Sequence, residues 1–333
     1  MNPTTPAPAA HQHTPQEIRL RSGLDVPTLL LPDPARLFAE RALRLRQLAA
    51  GHAMRDYLLL LALVCEAQHS QAQQFPALTV PTAAPHDAAR QAGAPPPEAT
   101  RWPREPLWRA PLRALLQQVL DQLPGDSPAR AAIQATRELP DEVLEQQADR
   151  LLAGITLGLD MAAAPLIAAG LQLYFTHGVA ASAAVQPNAF AVAAHAPLCP
   201  CCGTPPVASI TRLGGPQEGQ RYLLCSLCNV QWHMPRIQCT HCGTAQGIEY
   251  QSLQPVSEHG KTDQRPAVEA ETCQSCRHYL KIVHMARDLH VEPLADDLAT
   301  LTLDLLVSEA GFERHGVNLL LLFGDGDAQA GGD

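Results

Sequence analysis

Over roughly the first two hundred positions, apolar residues recur at helical spacing. After Pro34, Leu37, Phe38, Ala42, Leu45, Leu48 and Ala49 share one helical face, while Arg41, Arg44 and Arg46 fall mostly off it. A second helix is expected over about 54–73, apolar on every side at its centre, as suits a helix in the middle of a bundle. Nine prolines between Phe75 and Pro111 then fix φ and remove backbone donors. That segment reads as a long connection draped over the bundle, with Trp102 and Trp108 as packing anchors. Helical spacing returns over Leu112–Leu123, breaks at Pro124-Gly125-Asp126-Ser127-Pro128, and restarts near Pro140 with Asp141 and Glu142 in the first turn. An Ala-rich stretch from Ala162 to Ala184 completes the helical part.

From Cys199 the period changes to two. Strands are expected at Val207–Leu213, Arg221–Leu224, Val230–Met234, Ile248–Leu253 and Tyr279–His284, between turns that carry cysteines. A closing helix is expected from Asp296 to Glu309, with Asp296 and Asp297 complementing its dipole. These patterns predict a multidomain α plus small β protein. A flexible tail over 1–16 precedes an all-α helical domain over 17–190, which includes the Pro-rich connection at 75–111. Two small modules follow over 195–237 and 238–292, then a C-terminal helix and tail over 293–325.

Two apolar stretches raise the question of a membrane. Tyr57 to Cys65 is too short to span. Leu151 to Val185 is interrupted by Asp160, Pro165, Gln172 and His177, and reads as buried helix. No stable membrane insertion is expected. The N-terminal twenty residues lack the basic start and apolar stretch of a secretory signal, so a reducing, cytoplasmic compartment is expected.

Eight of the ten cysteines form four Cys-x-x-Cys pairs, separated by 22, 10 and 30 residues. Such a series points to two four-thiolate metal sites. The simplest pairing is sequential, with Cys199, Cys202, Cys225 and Cys228 around one ion and Cys239, Cys242, Cys273 and Cys276 around the other. A cross-brace is the alternative; the strands around each pair favour two successive ribbons. The position after the second cysteine of a pair often needs positive φ. Gly203 and Gly243 suit it, Asn229 tolerates it, and Arg277 suggests a different local turn in the fourth pair. Cys201 reads as a neighbour of the ligands and Cys65 as a small core residue. With all eight ligand places filled, solvated or packing roles are favoured for His233 and His241.

A closed four-thiolate shell leaves no open position for substrate, which argues against catalytic zinc. With iron, the same shell resembles rubredoxin and carries one electron. Residue types alone leave iron and zinc both open. The formal charge of −9 argues against general nucleic-acid binding, and eight thiolates around two divalent ions make the balance more negative still. No nucleophile elbow, phosphate-binding glycine loop or HExxH stands out, and the Gly- and Asp-rich end at 324–327 reads as tail.

The ordered pieces Cys199-Pro-Cys-Cys-Gly-Thr-Pro-Pro-Val, Arg221-Tyr-Leu-Leu-Cys-Ser-Leu-Cys-Asn-Val-Gln-Trp-His, Arg236-Ile-Gln-Cys-Thr-His-Cys, Glu271-Thr-Cys-Gln-Ser-Cys and Asp296-Asp-Leu-Ala-Thr-Leu-Thr-Leu-Asp resemble the FdhE family of formate dehydrogenase accessory proteins. Arg41-Ala-Leu-Arg-Leu-Arg-Gln-Leu-Ala and Asp56-Tyr-Leu extend the resemblance to the helical part. It implies a helical domain followed by two tandem rubredoxin-like zinc-ribbon modules. It further implies a cytoplasmic, non-catalytic factor that binds the catalytic subunit of respiratory formate dehydrogenase before export. Because the matched pieces run beyond the cysteines, Trp232, His233, Arg236, Asp296 and Asp297 become candidates for partner binding. The alternatives are an iron redox protein acting on that client and a nucleic-acid-binding zinc-ribbon protein.

Overall fold

A computed structural model describes residues 26–79, 99–101, 104–186, 189–190, 192, 196–253 and 265–321. The expected tail at 1–16, residues 80–98 and 102–103 of the expected Pro-rich connection with Trp102 among them, and the Gly/Asp-rich end lie outside the described residues.

Among the described residues, six helices build the first part: α1 Leu37–Leu48, α2 Arg55–Ala72, α3 Arg109–Gln122, α4 Ala129–Arg137, α5 Asp141–Leu152 and α6 Ala164–Val185. Their core is mostly leucine and alanine, with Phe38, Trp108 and Phe175 as its large rings. Trp108 closes the Pro-rich connection: it is fully buried and its Nε1 donates to Glu145 Oε1 at 3.0 Å. By length and composition α6 could cross a membrane, but 72% of its most apolar window is buried inside the protein, so core packing accounts for its character. Gly170 of α6 permits this packing. A Cβ there would lie 3.0 Å from the Leu112 side chain of α3.

The strands are β1 Leu29–Leu30, β2 Pro206–Thr211, β3 Arg221–Cys225, β4 Gln231–Met234, β5 Ile248–Gln251, β6 Val268–Cys273, β7 His278–His284 and β8 Glu313–Arg314. They form one sheet in the order β1-β4-β3-β2-β7-β6-β5, with β8 also paired to β7. The two ribbons are therefore joined. The parallel pairing of β2 with β7, Ser209 opposite Ile282, fuses an antiparallel meander from each module into one surface. Leu29 and Leu30, expected within the helical domain, pair with Trp232 and Gln231 as the edge of that sheet. β1 and β8 are too short to show a period, and β6 interleaves Glu269 and Glu271 on positions that prove buried, which hides it from a polarity count.

One apolar cluster runs without a break from the bundle into the first module, through Leu223, Leu224, Leu227, Val230 and Trp232. A smaller one, around Tyr222, Val268, Val283, Leu303, Val307 and Phe312, packs the sheet against the C-terminal helix. That closing helix is two helices, α7 Pro293–Leu298 and α8 Leu301–Glu309. The break has a cause. Lys281, fully buried, sends Nζ to the backbone carbonyls of Asp297 at 2.7 Å and Thr300 at 3.4 Å, acceptors at the point where the ladder would continue.

Candidate metal centres

The structure gathers the eight paired cysteines into two groups in sequential order. Cys199, Cys202, Cys225 and Cys228 form one, and Cys239, Cys242, Cys273 and Cys276 the other. In the first, sulfurs of facing pairs are 3.5, 3.5 and 3.6 Å apart. In the second, Cys239 to Cys276 is 3.6 Å and Cys242 to Cys273 is 3.8 Å. Thiolates on a tetrahedral ion with bonds near 2.3 Å sit about 3.8 Å apart. The donor set and its spacing thus fit one ion per group. Each group can hold a metal, and the shell suits zinc and iron alike.

Backbone donors soften the sulfur charge. The N–H groups of Leu227 and Cys228 lie 3.4 Å from Cys225 Sγ, that of Cys201 lies 3.4 Å from Cys199 Sγ, and that of Cys242 lies 3.5 Å from Cys239 Sγ. All four pairs use the same left-handed turn: Gly203 φ is 71°, Asn229 60°, Gly243 75° and Arg277 60°. The expected exception at Arg277 is therefore corrected. Its strained backbone is held by its own side chain, which stacks 3.8 Å from the Phe312 ring centroid and donates to the Ala310 carbonyl at 2.7 Å.

The two groups differ in exposure. All four cysteines of the first are fully buried, whereas Cys242 is exposed and Cys276 half-buried in the second. Burial pushes the thiols of Cys199, Cys225 and Cys228 well up, so their thiolate form needs a cation beside it. At Cys273 burial also acts upward, but the backbone N–H groups of Cys276 and Ser275, together with the side chains of Cys276 and Cys239, outweigh it and bring that thiol down to about 7. Cys65 is buried among the bundle helices, its thiol raised to about 12 by burial. Cys201 is fully buried beside the first group and outside it.

Polar side chains from the bundle secure the first group. Gln172 Nε2 on α6 donates to the Ser226 carbonyl at 2.8 Å, and Asn229 Nδ2 donates to Thr176 Oγ1 at 3.0 Å. Gln172, one of the polar interruptions of the apolar helix, and Thr176 one turn on are thus the points where the second cysteine turn docks. Asn229 Oδ1 also accepts from Arg41 Nη2 at 2.8 Å. Arg221, fully buried on β3, crosses to the second group. It donates to the Gln238 carbonyl at 2.9 Å and to Thr240 Oγ1 at 3.0 Å, and it pairs with Glu271 at 3.0 Å.

The five partner-binding candidates separate by position. Trp232 is fully buried, its indole N–H on the Ala196 carbonyl at 2.8 Å. Asp296 is buried against Arg44 of α1 in a bidentate pair at 2.6 and 2.9 Å. Asp297 is buried against Arg314 at 2.7 Å, Lys281 at 2.9 Å and Asn318 at 2.8 Å. The expected role at the helix start is kept by Asp296, which lies in the first turn of α7 and accepts the Glu292 N–H at 2.8 Å, and is shared with Glu292, which caps α7 through the Ala295 N–H and pairs with Arg41 at 2.9 Å; Asp297 lies past that turn. His233 is half-buried with Nε2 3.0 Å from Gln220 Oε1, and Arg236 is exposed. These positions give Trp232, Asp296 and Asp297 the task of shaping the molecule and leave Arg236, with the edge of His233, facing outward. Sequence reasoning missed Arg41, Arg44, Arg221 and Lys281 as buried cations. For the first two, the available signal was two arginines three apart, flanking an apolar helix face.

Comparison with known proteins places these features. Family models described as FdhE N-terminal, FdhE central domain and FdhE C-terminal domain match residues 26–189, 198–236 and 237–321. The FdhE homolog of Pseudomonas aeruginosa is 37% identical over 307 residues, covering 91% of this chain and 96% of the relative. The FdhE protein of Salmonella dublin is 35% identical over 302 residues, covering 91% of this chain and 93% of the relative. The crystal structure of the FdhE protein from Pseudomonas aeruginosa superposes with a TM-score of 0.76 at 36% identity, covering 90% of this chain and all of the other. The chain belongs to the FdhE family, which is implicated in the formation of formate dehydrogenase.

Proposed function

We propose that this protein is a cytoplasmic, non-catalytic assembly factor that binds the immature catalytic subunit of respiratory formate dehydrogenase before export. The observation that carries the reading is family membership over nearly all of the described chain, helical part and both cysteine groups together. Two closed four-cysteine groups support it, because a filled shell presents no site for substrate and serves to hold a surface. Each group binds one ion, iron or zinc, and the ion supplies folding free energy to its module. Cys199, Cys202, Cys225 and Cys228 hold the first; Cys239, Cys242, Cys273 and Cys276 hold the second. Arg236 and His233 belong to the client surface, and Trp232, Asp296 and Asp297 support that surface from within. A tagged full chain expressed with the client is expected to co-purify the catalytic subunit from cytosol, and recovery of none overturns the proposal.

A second reading has a specific observation behind it. Cys242 is exposed and Cys276 half-buried, which brings the second group to the surface where electrons can pass. Iron in that group makes it a rubredoxin-like one-electron centre acting on the same client. Anaerobic purification decides it: a reducible visible chromophore supports the redox role, and a colourless protein with two zinc ions removes it.

A further inference from the structure

A cavity of about 330 Å³ lies between α1, the residue that follows β2 and the segment joining β7 to α7. That volume is within the range of ligand-binding pockets. Arg212, Leu43 of α1, and Met285, Leu289 and Val291 of the joining segment are among the residues that line it. Leu43 and Leu289 are 60% and 63% exposed, two large apolar side chains left in water on different elements of one cavity.

An arginine drawn out of water is ordinarily matched by a carboxylate. Among the described residues, the half-buried Arg212 has only neutral contacts. Its Nε and Nη2 both donate to Gln231 Oε1, the first at 3.1 Å, and Nη1 reaches the Met285 sulfur at 3.9 Å. Burial lowers its pKa from the ordinary value, against the opposing pull of Tyr222, Glu292 and Glu40. The other charged groups of the cavity are engaged elsewhere. Glu40 pairs with Arg36 at 2.8 Å, Glu292 with Arg41 at 2.9 Å, and Arg44 with Asp288 at 2.8 Å and Asp296 at 2.6 Å. Gln231 takes the Nε side of the Arg212 fork, which leaves the paired N–H groups of Nη1 and Nη2 for a bidentate acceptor.

A guanidinium without a counter-charge, set beside two wetted leucines, calls for a carboxylate carried on an apolar stretch of chain. We propose that this cavity docks an aspartate or glutamate side chain of the client polypeptide, whose neighbouring apolar residues cover Leu43 and Leu289. A small free carboxylate satisfies Arg212 but leaves both leucines in water, which favours the polypeptide. The cavity also adjoins the edge assigned above to the client. The Gln220 carbonyl accepts the Arg212 backbone N–H at 2.9 Å, and its side-chain Oε1 meets His233 Nε2 at 3.0 Å. This inference rests on the reading that the chain binds that client.

The test co-expresses the tagged full chain with the catalytic subunit and compares recovery of that subunit by the wild type, by Arg212→Gln and by the double variant Leu43→Glu, Leu289→Glu. Recovery at least about tenfold lower is expected for each, at the wild-type melting profile, because truncating an interfacial charge pair costs tenfold or more in affinity. Both leucines are exposed, so the double variant and the cross-link below decide the matter where Arg212→Gln melts early. With Leu289 replaced by a benzophenone amino acid, irradiation is expected to join the full chain to a client segment that carries Asp or Glu next to apolar residues. Loss with Arg212→Gln alone points to a free carboxylate and overturns the proposal. Undiminished recovery with Arg212→Gln overturns it, as do adducts only within the chain itself or on a client segment without a carboxylate. In each of these cases the client reading stands. No recovery by the wild type overturns the client reading and this proposal with it.

Discussion

Arg41 of α1 and Asn229 of the second cysteine turn, 188 residues apart in sequence, meet in the interior at 2.8 Å. The same guanidinium holds Glu292, the cap of α7, so one side chain ties the bundle, the first metal turn and the C-terminal helix. Arg41→Ala should cost roughly 3–5 kcal/mol, because it strands a partly buried carboxylate and an amide oxygen. Arg41→Lys should not restore the loss, since an ammonium cannot reproduce the fork that serves both partners. Urea unfolding of the metal-loaded protein measures both, and a loss below about 1 kcal/mol, the scale of an exposed pair, removes Arg41 from this role.

The cysteine groups should respond unequally to chelation. The ion of the second group should leave first, because Cys242 is exposed and Cys276 half-buried while the first group is sealed. Cys242→Ser should lose one ion and leave the bundle's melting transition in place. Cys225→Ser should lower that transition as well, because the first group shares the apolar cluster of the helices. Metal counting together with differential scanning calorimetry separates the cases. Loss of both ions at a single rate would count against unequal access.

Asp297 carries a pH dependence whose sign follows from its surroundings. Burial acts to raise its pKa, but Arg314 and Lys281 outweigh it and hold the carboxyl below its ordinary 3.8. A depressed carboxylate stabilises the fold fully above its unfolded pKa of about 3.9, and the contribution is lost as pH falls through the lower folded value. Asp297→Asn leaves Lys281 and Arg314 short of a buried counter-charge and should destabilise by on the order of 3–5 kcal/mol at pH 7. The gap between wild type and variant should narrow as pH drops below about 4. A gap that widens toward acid would reverse the assignment.

Arg277 sets two effects against each other. Glycine at this φ of 60° relieves backbone strain, but it also removes the stack on Phe312 and the bonds to Ala310 and Gly311. Arg277→Ala removes the contacts and keeps the strain, so it should be less stable than Arg277→Gly by about 1 kcal/mol. Equal stability of the two variants would show that the turn is not strained.

Most of the helices and both cysteine groups were legible because each rests on a local signal, whereas α4, directly after the break at 124–128, was not expected. Apolar residues at helical spacing identify α1 to α3, and Cys-x-x-Cys pairs identify the metal turns. The union of the modules was not legible. It depends on β2 meeting β7 across more than seventy residues, and a strand's sequence does not name its partner. Arg41 and Arg44 were misleading for a related reason. A charge off the apolar face reads as solvated, and only the position of Glu292 and Asp296, some 250 residues later, makes that face interior.

The pairing of Arg44 with Asp296 sets a timetable for biogenesis. The two are separated by 252 residues, and at about 5–20 residues per second of synthesis roughly 10–50 s pass between their emergence from the ribosome. Over that interval α1 has its apolar side for the bundle, while its guanidinium side stays wetted. β1 likewise waits about two hundred residues for β4. The nascent helical part therefore carries an open cationic flank until the last segment is made, and the chain is sealed from its C-terminal end backward.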